Sequence, residues 1–323
     1  MHDQADTTPY QSREHRSLRR KRLGRRAYIR SVHLLPSLAT LGNAVCGFGA
    51  IYVAAFAMND AGDDPWAQTL ARHSFVAASV LLLVAMVFDA LDGRLARFAR
   101  HTTDFGGQLD SLADAVSFGA APAFLALQVF KSTWPGTPLP ISRLVWAIGA
   151  IYFACALIRL ARFNVSNQHG EQAHMSFFGL PSPGAAGAVI GLVLIQQDLR
   201  LLVAPVMTAA GTLADPAGAA ILRPLYHFCT AILPIVVLAS GLLMVSAIRY
   251  PHVVNKYLRG TRSIKRLVLV VVVAALLITL PRYTLGLGMI AFAAGPPIAY
   301  LLTLRNPASQ PAVSVGDVTP EHE

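Results

Sequence analysis

Apolar residues in this 323-residue chain are gathered into long runs that polar segments separate. A helix needs about 20 apolar residues to cross the hydrocarbon core of a bilayer. Eight runs approach that length, at residues 34–58, 74–91, 105–130, 144–163, 178–197, 225–248, 267–280 and 283–304. The last two are short and only Pro281 and Arg282 separate them, which is typical of a helical hairpin. The pattern predicts an all-α, polytopic integral membrane bundle.

The segments between the runs divide the chain further. Residues 201–222 are rich in Ala and Gly and are interrupted by prolines, so we expect an extramembrane or interfacial insertion there. The predicted organisation is a basic cytoplasmic tail or interfacial helix at 1–33, a membrane domain at 34–250, a helical hairpin at 251–304 and a disordered tail at 305–323.

The composition supports a membrane setting. Hydrophobic residues make up 54% of the chain and charged residues only 14%, whereas an average soluble domain has about 25% charged residues. The three cysteines all lie inside apolar runs and form no Cys-x-x-Cys pair, so we expect no disulfide framework. A soluble enzyme is therefore excluded.

The net charge of +10 raises the question of an acidic partner. With the N-terminus placed in the cytoplasm, the cytoplasmic segments hold 21 of the 27 Lys and Arg residues. This asymmetry follows the positive-inside rule and predicts that both termini are cytoplasmic. A nucleic-acid-binding protein would need a folded basic face or a recognition motif, and the sequence has neither. The charge therefore indicates topology.

Four aspartates stand at or inside the second and third apolar runs, where each costs about 2.5–3.5 kcal/mol to insert. Asp89 and Asp92 are three residues apart and Asp110 and Asp114 are four apart, so each pair shares one face of its helix. The two helices should run antiparallel, which brings the pairs together. Protonation or bound cations would relieve the repulsion, and oxygen ligands favour Mg²⁺, Mn²⁺ or Ca²⁺. A two-metal site for phosphoryl chemistry and an ion path in a cation-coupled transporter both fit this arrangement.

The carboxylates belong to a longer motif. Asp89-Ala-Leu-Asp92-Gly93-Arg94-Leu-Ala96-Arg97 is followed by eight residues, Gly106, three residues, Asp110, three residues and Asp114. This stretch resembles the signature of the CDP-alcohol phosphatidyltransferase family, with all its fixed positions present. The resemblance favours the metal site over the transporter.

The family resemblance implies a fold, a reaction and a set of site residues. We expect a six-helix core with about two added C-terminal spans, usually as a homodimer. Two divalent cations, Mg²⁺ or Mn²⁺, would be held by Asp89, Asp92 and Asp110 with Asp114 near them. Asp114 would be the general base for attack of an alcohol on a CDP-lipid, releasing CMP. The CDP part would be lined by Gly93, Ala96, Arg97 and Gly106.

Three more segments, beginning at Leu35, Ser117 and Arg159, resemble the phosphatidylserine synthase branch of that family. They imply CDP-diacylglycerol and L-serine as substrates. The distribution of basic residues predicts that the active site faces the cytoplasm, in a bacterial inner membrane. Glycerol 3-phosphate, inositol phosphate and choline remain alternative acceptors. Arg159 and Arg162 are candidates for the carboxylate of serine or are positive-inside anchors. Asn43, inside the first run, binds either the donor lipid or a neighbouring helix.

Overall fold

The structure, a computed structural model, describes residues 37–57, 64–99, 104–168, 179–207, 213–248, 250 and 264–305. Seven helices in these ranges are long and apolar enough to cross a membrane. The predicted helical membrane bundle is therefore confirmed. The predicted tails, residues 1–33 and 305–323, lie outside the described ranges except for Arg305.

The described residues form the following helices in chain order. Their bounds are α1 Ser37–Phe56, α2 Pro65–Ala99, α3 Asp104–Asp114, a π-helical segment Ala115–Ala120, α4 Ala121–Thr133, α5 Leu139–Gln168, α6 Ser182–Val203, α7 Ala219–Val245, α8 Ile264–Thr279 and α9 Pro281–Arg305. The third predicted span thus comprises α3, the π segment and α4. Between α6 and α7, β1 (Val206–Met207) pairs antiparallel with β2 (Leu213–Ala214).

The seventh of the eight predicted spans is short, as its sequence predicts. It is α8, a helix of 16 residues, which at about 1.5 Å per residue is shorter than the roughly 30 Å hydrocarbon core. Residues 268–280 are exposed throughout. By contrast α9, which follows after Leu280, packs along α6. The two helices of the predicted hairpin therefore have different environments.

Helix α6 is the centre of the bundle, because α2, α4, α7 and α9 all pack against it. Small residues allow these close approaches. A Cβ on Gly191 of α6 would lie 2.8 Å from the carbonyl oxygen of Gly286 in α9. The same contact region includes Tyr250, whose hydroxyl donates to the carbonyl of Ala293 at 2.9 Å. Burial raises the pKa of Tyr250 to about 12.

The end of α6 far from Ser182 carries a polar network whose members are buried or half-buried. The amide of Gln196 donates to the hydroxyl of Thr230 in α7 at 3.0 Å, and Tyr226 donates to Thr133 at the end of α4. Asp198 forms an ion pair with Arg282 at the start of α9. These bonds join four helices and satisfy polar groups that would be costly to leave unpaired.

Candidate active site

Three carboxylates from two helices meet at one end of the bundle. Asp89 and Asp92 lie in the last third of α2 and Asp110 lies in α3. One oxygen from each can be chosen so that all three lie within 4.8 Å of one another. The three-residue spacing places Asp89 and Asp92 on one face of α2, and the carboxylate of Asp110 lies beside them.

The chemistry of this triad fits divalent cations. Asp92 is 6% exposed. Its Oδ2 and the Oδ1 of Asp110 are buried without a hydrogen-bond partner among the residues that the structure describes. Buried acceptors that repel one another need a cation or a proton. Because all the ligands are carboxylate oxygens, Mg²⁺ and Mn²⁺ suit the site better than zinc.

Asp114 lies one helical turn after Asp110 and is adjacent to the triad. It is 8% exposed and is close enough to Asp89 and Asp110 to be repelled by both. The side-chain amide of Asn43 in α1 donates to Oδ1 of Asp114 at 3.1 Å. Asp114 is therefore held by a hydrogen bond to α1, next to the triad.

The π segment begins directly after Asp114 and is hydrogen-bonded to two other helices, α1 and α5. The hydroxyl of Ser117 donates to the carbonyl of Asn43 at 2.9 Å, and the hydroxyl of Tyr152 in α5 donates to the carbonyl of Phe118 at 2.9 Å. Gly47 permits the approach of α1, since a Cβ there would lie 2.3 Å from Oγ of Ser117. Single turns of π-helix are frequent at functional sites.

Arg159 brings a positive charge to the carboxylates from α5. It is half-buried and interacts electrostatically with Asp114 and Asp89. Its guanidinium donates to the hydroxyl of Ser182, at the start of α6, at 2.7 Å. The chain before Ser182 is held in turn, because Gly179, with a φ of +87°, donates its amide to the carbonyl of Ile248.

A profile of the family described as CDP-alcohol phosphatidyltransferase matches residues 33–214. This range contains the triad, Asp114, Asn43 and Arg159. The chain belongs to the CDP-alcohol phosphatidyltransferase family. Helices α7, α8 and α9 lie beyond the range of the family match.

Curated relatives of this family member carry the name CDP-diacylglycerol–serine O-phosphatidyltransferase. The protein from Mycobacterium tuberculosis is 34% identical over 171 residues, which are 52% of this chain and 51% of the relative. The Helicobacter pylori protein is 28% identical over 81% of this chain and 88% of the relative. The Bacillus subtilis protein is 31% identical over 53% and 82%. The match thus spans about half the length of the mycobacterial relatives.

The other predicted site residues lie in α2, α3 and α5. Gly93 is exposed at the end of α2 and Gly106 is half-buried in α3. Arg162 is exposed on α5, one turn after Arg159. Ala96 and Arg97 lie in the last turn of α2, and their side chains are outside the described part of the structure.

Sequence reasoning missed three polar residues at the site. Thr40, in α1, hydrogen-bonds to the carboxylate of Asp92. Ser111, next to Asp110, donates to the side-chain oxygen of Asn164 in α5 at 3.0 Å. The sequence does indicate that Thr40 belongs to the site. It stands three residues before Asn43 in an apolar run and so shares the same helix face.

Proposed function

We propose that this protein transfers a phosphatidyl group from CDP-diacylglycerol to the hydroxyl of L-serine, giving phosphatidylserine and CMP. The observation that carries the proposal is the buried carboxylate triad with Asp114 beside it, in a chain of the CDP-alcohol phosphatidyltransferase family. The names of the relatives support serine as the acceptor.

Asp89, Asp92 and Asp110 would hold two divalent cations, Mg²⁺ or Mn²⁺. When bound, these cations neutralise phosphate charge and make a nearby hydroxyl more acidic. The unpartnered oxygens of Asp92 and Asp110 support this assignment. Gly93, Ala96, Arg97 and Gly106 would line the CDP part of the donor, as the family signature implies.

Asp114 would act as the general base. The serine oxygen forms a bond to the β-phosphorus while the bond from that phosphorus to the bridging oxygen breaks. The electron pair leaves with CMP, and the hydroxyl proton goes to Asp114. The position of Asp114 next to the triad supports this role, since a base must lie within hydrogen-bond reach of the reacting hydroxyl.

Arg159 would bind the carboxylate of serine. Its guanidinium is half-buried and lies near Asp89 and Asp114, so a carboxylate placed there would be close to the base. Ser182 occupies one donor of the guanidinium and leaves others for a ligand. Arg162, one turn further along α5, is the second candidate for this role.

The active site and both termini would face the cytoplasm, where the basic residues are concentrated. CDP-diacylglycerol would enter from the inner leaflet of a bacterial cytoplasmic membrane and serine from the water phase. The enzyme would work as a homodimer, as the family resemblance implies.

Purified protein with CDP-diacylglycerol, Mg²⁺ or Mn²⁺ and labelled serine tests the proposal. We expect labelled phosphatidylserine, a loss of product in Asp110→Asn and full activity in Asp215→Asn. Asp215 is a matched control because it is an exposed acid paired with Arg223. Product from glycerol 3-phosphate, inositol phosphate or choline, with none from serine, would contradict the assignment of the acceptor.

A further inference from the structure

We propose that Asn43 is a positioning residue for Asp114, and that it acts on the chemical step rather than on binding of the donor lipid. The inference rests on the proposed function, because it takes Asp114 as the base. Of the two alternatives drawn from the sequence, it replaces contact of Asn43 with CDP-diacylglycerol and develops contact with a neighbouring helix.

The contacts of Asn43 are directed at Asp114 and the segment after it. The side chain of Asn43 is 0% exposed, and its amide donates to Oδ1 of Asp114 at 3.1 Å. Its backbone carbonyl accepts the hydroxyl of Ser117, three residues beyond Asp114, at 2.9 Å. Asn43 thus hydrogen-bonds both to Asp114, the last residue of α3, and to Ser117 in the π segment that follows it.

A carboxamide suits this task because it donates to one oxygen of the carboxylate and brings no charge. With Oδ1 of Asp114 held by Asn43, rotation of the carboxylate is restricted and Oδ2 is left for the acceptor hydroxyl. A flipped amide would turn its own oxygen toward the carboxylate, so the donor orientation is the favourable one.

The remaining oxygen of Asn43 argues against a role in packing alone. Oδ1 of Asn43 is buried and has no hydrogen-bond partner within the described ranges. An apolar side chain of similar shape would join α1 to α3 without this desolvation cost. The hydrogen bond to Asp114 therefore accounts for an amide at this position, where an apolar side chain would pack at lower cost.

The test compares Asn43→Ala and Asn43→Leu with the wild-type protein in detergent micelles. Leu preserves the volume of the side chain and removes the donor. We expect both variants to lower kcat about 10- to 100-fold, with KM for each substrate within about threefold of wild type. Binding of CDP-diacylglycerol, measured by calorimetry, should be unchanged. In an Asp114→Asn background, Asn43→Leu should cause no further loss.

Thr230→Val is the matched control. It also removes one buried hydrogen bond between helices, the bond from Gln196 at 3.0 Å, but at the far end of α6. We expect it to lower the Tm while the kcat of the folded protein stays at the wild-type value.

Three results would overturn the proposal. Weaker binding of CDP-diacylglycerol with unchanged kcat would show that Asn43 contacts the donor. Wild-type kcat in Asn43→Leu would show a role in packing. A loss of the same size in the Asp114→Asn background would show that Asn43 does not act through Asp114. If the wild-type protein uses another alcohol, the variants are compared with that alcohol, so the two proposals fail separately.

Discussion

Replacing Gly47 by alanine tests how tightly α1 is held against the active site. A Cβ at this position would lie 2.3 Å from Oγ and 2.7 Å from Cα of Ser117. The second of these atoms is backbone, so a change of rotamer cannot relieve the contact. Helix α1 must move away from the π segment, and the bond from Ser117 to the carbonyl of Asn43 is lost or lengthened.

The cost follows from three contributions. Overpacking costs about 1–3 kcal/mol and loss of the Ser117 bond about 1 kcal/mol. Alanine in a helix gains about 1 kcal/mol over glycine. The net expectation for Gly47→Ala is a loss of about 1–3 kcal/mol in the free energy of unfolding. Activity should fall as well, because Asn43 lies one turn away and bonds to Asp114.

Reversible unfolding by SDS in mixed micelles measures this free energy, and the labelled-serine assay measures activity. Gly288→Ala in α9 is the matched control, because a Cβ there meets no atom within 4 Å. We expect it to leave stability unchanged or to raise it by up to about 1 kcal/mol. A Gly47→Ala protein with wild-type stability and activity would refute the close approach of α1 to the π segment.

Three further predictions address the cation site, the acceptor site and α9. Asp92→Asn should lower activity at least about 100-fold. Chelation should abolish wild-type activity until Mg²⁺ or Mn²⁺ is restored. Activity that survives chelation would exclude the cation site. Ser182→Ala frees the guanidinium of Arg159 and should raise KM for serine about three- to tenfold, whereas an altered KM for CDP-diacylglycerol alone would contradict the serine site. Tyr250→Phe should lower the free energy of unfolding by about 1 kcal/mol at pH 7, measured in SDS. Because the pKa of Tyr250 is about 12 when folded and about 10 when unfolded, the wild-type protein should lose stability relative to this variant as pH rises from 10 to 12. A pH-independent difference would contradict the raised pKa.

The helices and the carboxylate pairs could be predicted because both are local patterns. Long apolar runs predict spans, and spacings of three and four residues place Asp89 with Asp92 and Asp110 with Asp114 on single helix faces. A short connection between two spans then indicates that the faces meet. The structure brings three of these carboxylates within 4.8 Å.

The partners of the carboxylates could not be predicted in the same way. The bond between Asn43 and Asp114 joins residues 71 positions apart, and it depends on how α1 is rotated about its axis. The π segment has the sequence AVSFGA, and these residue types do not distinguish it from an ordinary α-helix. Packing against α1 and α5 gives it the observed contacts.

The C-terminal helices show that hydropathy alone does not predict which helix packs against the bundle. Both α8 and α9 are apolar, and the sequence predicts two similar spans. Only α9 has the glycine at 286 that fits against Gly191 and the arginine at 282 that pairs with Asp198. Its packing on α6 is therefore decided by a few complementary contacts rather than by mean hydropathy.

The measurement that tests the central claim most directly is the stoichiometry of the reaction. CMP and phosphatidylserine are quantified in the same sample of purified protein with CDP-diacylglycerol, Mg²⁺ and serine. We predict equal amounts of both products, dependent on serine and on the cation. CMP released at the same rate without serine, or no CMP at all in the complete mixture, would contradict transfer of a phosphatidyl group to serine.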